Sequence, residues 1–231
     1  MREAPKKGRA VDIDTTEAIE DYVKAIYSLQ HGGEDAVTTS ALAERLEVTS
    51  GSASGMVKKL AALGLVDHVP YRGVVLTALG GRLALEVLRH HRLLELYLTE
   101  AFGMPWDQVH AEAEKLEHVL SEELEELIAT KLGDPTVDPH GDPIPARDGS
   151  IDEPKTRSLS DLVVGDHALF LRVSDSDPDM LRYLSEREIR PGQELEVIDK
   201  QPFGGPLFVR IAGGEHALGG ALVRAMRVTL T

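Results

Sequence analysis

The hydrophobic period of this chain changes once, and that change limits what it can fold into. Up to about residue 131, apolar side chains recur every three or four residues, the spacing of amphipathic helices. From residue 158 they alternate, the spacing of half-buried strands. A stretch rich in Pro, Gly and Asp, residues 133–154, separates the two regimes and predicts irregular backbone. At 231 residues the chain can hold two or three small domains. We therefore expect a multidomain α+β protein, with domains over 1–80, 81–146 and 158–231 and a linker over 147–157.

Ile19, Tyr22, Val23, Ile26 and Tyr27 share one face of a helix over 17–30, which His31-Gly32-Gly33 ends. A second helix follows Thr38-Thr39-Ser40 and turns Leu42, Ala43 and Leu46 inward. Thr49-Ser50-Gly51-Ser52 supplies a turn with good N-cap chemistry. A third helix over 52–63 then buries Val57, Leu60 and Ala61 until Gly64 stops it. Apolar residues alternate on either side of Pro70-Tyr71-Arg72-Gly73, a hairpin pattern. Helix, helix, turn, helix, hairpin is the order of a winged helix-turn-helix.

The third helix opens with Thr49, Ser50, Ser52, Ser54 and Gly55, small groups that can enter a major groove and hydrogen-bond to base edges. Lys58 and Lys59 a turn further on, and Arg72 at the hairpin tip, suit phosphates. Each residue singly also fits a cap or a solvated face; the ordered set points to double-stranded DNA. The basic N-terminal residues Arg2, Lys6, Lys7 and Arg9 fit a solvated tail better than a DNA contact. The net charge of −14 opposes DNA binding until its distribution is considered. Residues 1–80 carry only −2 of it and the remainder −12, so the acid lies away from the DNA-binding segment.

Residues 78–131 predict two amphipathic helices, broken near Gly103-Met104-Pro105. On the second, Glu114, Glu117 and His118 stand at i, i+3 and i+4, which places all three on one face. His110 and Glu114 form another i, i+4 pair, and His91 and Glu95 repeat it on the preceding helix. Paired helices presenting His and Glu inward are a frame for a carboxylate-rich metal site. Glu122, Glu123, Glu125 and Glu126 fit a solvated face instead. With no cysteine in the chain, the donors are oxygen and imidazole, which suit Mn²⁺ or Fe²⁺, with Zn²⁺, Co²⁺, Ni²⁺ or Cd²⁺ able to substitute in vitro. The absence of cysteine also fits a cytoplasmic protein. No apolar run approaches the ~18 residues of a membrane span, and the polar N-terminus is unlike a secretory signal. Residues 158–231 predict a small barrel of about five strands with one short helix near 179–184.

These segments together resemble the diphtheria toxin repressor family of metal-dependent regulators, and within it the manganese transport regulators. The resemblance rests on EDYVKAIY at 20–27, the helix-turn-helix and wing, RHHRLLELYL at 89–98, HAEAEKLEHVLS at 110–121, DPHGDPIP at 138–145, and VSDSDPDML followed by IRPG. It implies a winged helix, a helical dimerisation domain and an SH3-like barrel, with a metal co-repressor and a homodimer that binds a palindromic operator. It also implies a primary metal site of Asp21, His91, Glu114, Glu117 and His118. Iron-responsive members tend to carry Met and Cys where this chain has Asp21 and Glu114, and exchanging sulfur for oxygen points to Mn²⁺. Lys24 stands where some manganese regulators with a paired-metal site have Glu, which argues against that binuclear arrangement. An ancillary site is implied by Glu95 and His140 first, then Asp138, one of Asp175 or Asp177, and His110. An iron-responsive repressor of the same family is the nearest alternative. A carboxylate/His metalloenzyme would leave the winged-helix segment without a purpose, and no nucleophile–base pair or site for a small organic substrate is evident.

Overall fold

The computed structural model describes residues 15–31, 33, 35–69 and 71–231. The basic N-terminal tail and Pro70 of the hairpin lie outside them. No helix among the described residues is long and apolar enough to cross a membrane. The chain forms two compact units that are not consecutive in sequence. The first comprises the described residues up to His90 together with Leu116–Leu127 and Pro145–Ser150. The second comprises His91–Lys115, Ile128–Ile144 and Ile151–Thr231.

The first unit begins with α1 (Glu17–His31), α2 (Thr39–Arg45) and α3 (Ser50–Ala62), followed by the hairpin β1 (Val66–Val69) and β2 (Gly73–Leu76). Ile19, Val23 and Ile26 of α1 pack with Leu42, Leu60, Leu65 and Val74 in one buried cluster. Each such side chain contributes about 1.5–3 kcal/mol by leaving water. Thr38 and Thr49 cap α2 and α3, their hydroxyls accepting from the Ala41 and Ser52 amides at 3.1 and 3.2 Å. The third helix differs from its expected packing in one respect. Ala53 is buried and Ala61 is exposed, because Ala53 and Leu60, seven residues apart, define the inward line.

The wing is antiparallel, with Val66 opposite Leu76 and Val69 opposite Gly73. Val37 adds a bridge to Val74, exchanging backbone hydrogen bonds of 2.8 and 2.9 Å. That bridge brings the Val37 carbonyl so close to Gly73 that a Cβ there would stand 2.0 Å from its oxygen, and Gly73 has φ +122°. Only glycine fits.

The helical segment holds three helices rather than two: α4 (Ala78–Phe102), α5 (Val109–Leu116) and α6 (Glu122–Lys131). The additional break spans 117–121, where the Ser121 hydroxyl accepts the Leu124 amide at 3.3 Å and starts α6. All three helices contribute residues to both units.

The β-domain belongs to the second unit. It is a six-stranded antiparallel sheet in the order β3-β8-β4-β5-β6-β7. The strands are β3 (Arg157–Ser158), β4 (His167–Val173), β5 (Glu194–Lys200), β6 (Leu207–Ile211), β7 (Gly214–Leu218) and β8 (Met226–Leu230). Phe170, Leu159, Leu162, Val197, Val209 and Val228 form its core. The expected short helix is α7 (Pro178–Ser185); a 3₁₀ turn (Leu159–Asp161) and α8 (Gly220–Ala225) accompany it. Trp106, ahead of α5, joins this core and donates its indole N–H to Leu181 O at 3.1 Å.

We expect Gly73→Ala to destabilise the first unit by about 1–3 kcal/mol through backbone strain alone, with the carbonyl clash adding to it. Chemical denaturation followed by circular dichroism would show it; an unchanged transition would refute the packing at Val37.

Candidate metal centres and nucleic-acid interface

In the first unit, α1 brings Glu20 and Asp21 to the segment after α5. The His118 Nδ1 lies 2.7 Å from Glu20 Oε2, and its Nε2 lies 3.0 Å from Asp21 Oδ1 and 3.6 Å from Glu117 Oε1. Glu20 and Glu117 are buried. Thr15 donates its hydroxyl to the second Glu20 oxygen at 2.6 Å, and the Lys24 ammonium stands 2.5 Å from Glu117 Oε1. Burial by itself would lower the His118 pKa, but hydrogen bonds to Asp21 and Glu20 and the charge of Glu117 outweigh it and hold the ring at about 10. Glu20 therefore orients the imidazole from behind and leaves Nε2 facing Asp21, the arrangement by which a carboxylate fixes a metal-ligating histidine. Asp21, Glu117 and His118 come together here, while the other members of the expected primary set, His91 and Glu114, belong to the second unit.

In the second unit, His91 and Glu95 of α4 meet His110 and Glu114 of α5. His91 Nε2 lies 3.0 Å from both Glu95 Oε1 and His110 Nδ1. His110 Nδ1 is also 3.2 Å from Glu95 Oε1 and 2.9 Å from Asp175 Oδ2. Glu114 Oε1 stands 3.7 Å from His110 Nε2 and 3.9 Å from His91 Nδ1. One imidazole nitrogen carries at most one proton, so His110 Nδ1 cannot satisfy three partner atoms by hydrogen bonding. Hydrogen bonds to Asp175 and Glu95, opposed by burial, raise its pKa to about 10. Of the two candidate barrel aspartates, Asp175 reaches the cluster. Asp177 instead caps α7, its carboxylate accepting the Asp179 and Met180 amides. That capping role departs from the expectation that either aspartate could be the ligand.

His140 completes this side. Its Nε2 donates to Trp106 O at 2.7 Å, and its Nδ1 faces Glu95 Oε2 at 3.5 Å. Neither of those two facing atoms has a hydrogen-bond partner among the described residues, although both are buried. Burial lowers the His140 pKa, but the Glu95 carboxylate outweighs it and lifts the ring to about 9. Asp138 supports the turn, its Oδ1 accepting the His140 and Asp142 amides at 2.8 and 2.9 Å. Burial, with the negative charges of Asp142 and Glu95, pushes the Asp138 carboxyl well above its usual range. Gly141 permits the approach of this turn to β4, since a Cβ would lie 1.9 Å from Leu171 O.

The residues fit a divalent cation. Buried atoms without a hydrogen-bond partner on Glu95 and His140, and three polar atoms crowded around His110 Nδ1, are an arrangement that a cation would satisfy. The donors are carboxylate and imidazole, a hard-to-borderline set.

In the first unit, Thr49, Ser50, Ser52, Ser54, Gly55, Lys58 and Lys59 are exposed, so the polar side chains at the start of α3 are open to a groove while Ala53 packs inward. Arg72 is paired with Asp35 at 2.9 Å, both well exposed. Such a pair is worth about 0–1 kcal/mol and can be exchanged for a phosphate.

Residues 14–74 match the N-terminal DNA binding domain of iron dependent repressors, 77–146 their metal binding and dimerisation domain, and 157–230 the FeoA domain. The iron-dependent repressor IdeR of Mycobacterium leprae is 33% identical over 217 residues, covering 88% of this chain and 91% of that protein. The diphtheria toxin repressor of Corynebacterium glutamicum is 32% identical over 228 residues, 94% of this chain and 96% of that protein. A manganese-dependent transcriptional repressor in complex with manganese superposes with a TM-score of 0.87 at 42% identity, covering 92% of this chain and 100% of that one. The chain belongs to the diphtheria toxin repressor family of iron-dependent repressors. It is a metal-dependent, DNA-binding and dimerising transcriptional repressor, not an enzyme.

Three residues that matter here escaped sequence reasoning. Glu20 lies three residues before buried Val23 and seven before buried Tyr27, so an acidic residue on the inward line was the available signal. Glu125 is buried against Arg89 at 2.5 Å rather than solvated. His90 is equally buried, facing Glu122 and Glu125.

Because His118, His110 and His140 hold protons near neutral pH without an ion, each must release one when a cation takes its ring nitrogen. Metal affinity should therefore rise with pH toward 9–10. Calorimetric titration in buffers of different ionisation enthalpy should show net proton release, and its absence would contradict imidazole ligation.

Proposed function

We propose that this protein is a cytoplasmic, manganese-responsive repressor of metal-ion homeostasis genes, with Mn²⁺ as co-repressor and a palindromic operator as its target. The observation that carries the choice of metal is the donor set. Asp21, Glu117 and His118 in one unit, and His91, Glu95, His110, Glu114, Asp175 and His140 in the other, offer carboxylate and imidazole without sulfur. That set matches hard-to-borderline divalent ions. The similar protein solved with manganese points the same way. The iron-responsive reading is favoured by the mycobacterial relatives, which are named iron-dependent repressors. Zn²⁺, Co²⁺, Ni²⁺ and Cd²⁺ would compete for the same donors, and a related regulator, ScaR, has been solved with bound Zn²⁺ and with Cd²⁺.

A bound cation supplies the concentrated positive charge that lets several carboxylates converge. The chain's own residues convert that into DNA binding. Asp21 sits on α1, whose opposite face shares a core with α2 and α3. Fixing Asp21 against Glu117 and His118 therefore restrains the body that carries the reading helix. On a palindrome the two reading helices of a dimer must stand one helical turn apart, ~34 Å. Restraining each reader enriches the arrangement that matches both half-sites, and the gain is bounded by the ion's preference for that arrangement.

The test is operator binding by chelator-stripped protein at fixed salt, titrated with Mn²⁺ and separately with anaerobic Fe²⁺ on its own promoter region. Tight binding only with metal, at lower free Mn²⁺ than Fe²⁺, is expected, and Asp21→Ala should lose that response while keeping its fold. Equal binding with and without metal would overturn the mechanism; a lower requirement for Fe²⁺ would overturn the choice of ion.

A further inference from the structure

A cluster of ligand-type side chains outside both centres lies between α4 and α6, where His90 meets Glu122 and Glu125. We propose that His90, Glu122 and Glu125 form a third divalent-cation site, of the tetrahedral kind that takes Zn²⁺ or Co²⁺, with water as the remaining ligand.

Three observations carry it. His90 is 1% exposed, and its Nδ1 donates to Glu117 O at 3.2 Å. That bond turns the Nε2 lone pair toward α6. Nε2 has no hydrogen-bond partner among the described residues, nor does the buried Glu122 Oε1 that faces it at 3.7 Å. Leaving one such buried atom unsatisfied is unfavourable, and here two stand opposite each other. Finally, Glu125 is already oriented. Its Oε1 accepts from Arg89 Nε at 2.5 Å, which leaves Oε2 facing His90 Nε2 at 3.3 Å.

The spacing suits an ion. Two donors bound at about 2.0–2.1 Å to a tetrahedral cation stand about 3.4 Å apart, close to the separations observed. The charge suits it as well. Arg89 balances one of the two carboxylates, and Glu86, one turn earlier on α4, adds a further negative charge near His90. The competing occupant is a proton on Nε2, held there by Glu125 Oε2 at 3.3 Å and by the neighbouring carboxylates, and a cation at this position displaces it. The ion would clasp α6 to α4 beside the Glu117 carbonyl, so this site and the one at Asp21, Glu117 and His118 share a residue and their affinities are linked.

Equilibrium dialysis of the chelator-stripped full chain against Zn²⁺ at fixed pH tests this. Glu122→Gln and His90→Gln should each bind one equivalent fewer than wild type. Asp21→Ala should lose a different equivalent, so that combining it with Glu122→Gln loses both. In the Co²⁺-substituted protein, Glu122→Gln should lose the intense visible absorption of a tetrahedral centre. Glu122 is partly exposed, so its replacement spares the core and decides the matter even if His90→Gln misfolds. Unchanged Zn²⁺ stoichiometry and an unchanged Co²⁺ spectrum in Glu122→Gln would overturn the proposal, whatever the outcome for Mn²⁺-dependent DNA binding.

Discussion

Buried carboxylates without enough positive charge are the constraint on which this structure depends. Glu20, Glu95, Glu117 and Glu125 are each almost completely withdrawn from water. Burying an ionised carboxylate costs several kcal/mol unless it is paired and hydrogen-bonded. The chain meets the demand with what it has: Lys24 on Glu117, Arg89 on Glu125, and protonated histidines on Glu20 and Glu95. Protons compensate charge but do not saturate the geometry, so Glu95 Oε2 and His140 Nδ1 face each other at 3.5 Å without a well-formed hydrogen bond. A divalent ion compensates both, and this is how a stability problem becomes a sensor. The folded arrangement is completed by the very species whose concentration it reports.

The same logic explains why the proposed metal ligands sit where they do. Asp21 is one residue from a helix face that belongs to the DNA-binding core, and Glu117 and His118 occupy the short non-helical segment between α5 and α6. Ligands on a helix and on a loop differ in how readily they move, so an ion joining them orders the loop more than the helix. Glu20 then has a definite part. By accepting from His118 Nδ1 it keeps the ring aimed at Asp21 before any ion arrives. In the second unit Asp138 holds the backbone around His140, and Gly141 lets that backbone press against β4.

Much of this was legible in the sequence, and the reasons for the remainder are physical. Helical spacing alone placed His91 with Glu95 and His110 with Glu114, because an i, i+4 pair shares a face whatever surrounds it. The threonine caps of α2 and α3, the wing and the exposed polar start of α3 followed from local chemistry in the same way. Burial of charge did not. Glu125 lies in an acidic run that resembles any solvated helix face, and it is buried because Arg89, 36 residues earlier, reaches it. Asp175 and Asp177 are alike by composition; Asp177 is taken by the helix that Pro178 begins, which leaves Asp175 for His110. The break between α5 and α6 rests on the Ser121 cap, a signal hidden inside a strongly helical pattern.

The central claim is that a cation replaces protons at His118 and thereby fixes α1 to the segment after α5. Hydrogen exchange measured by mass spectrometry, on chelator-stripped protein and on protein loaded with Mn²⁺, tests it most directly. Loading should slow exchange in 117–121 most strongly and in α1 around Asp21, and Asp21→Ala should abolish that protection while leaving the β-domain unchanged. Equal exchange in 117–121 with and without Mn²⁺, or protection that survives Asp21→Ala, would contradict the account.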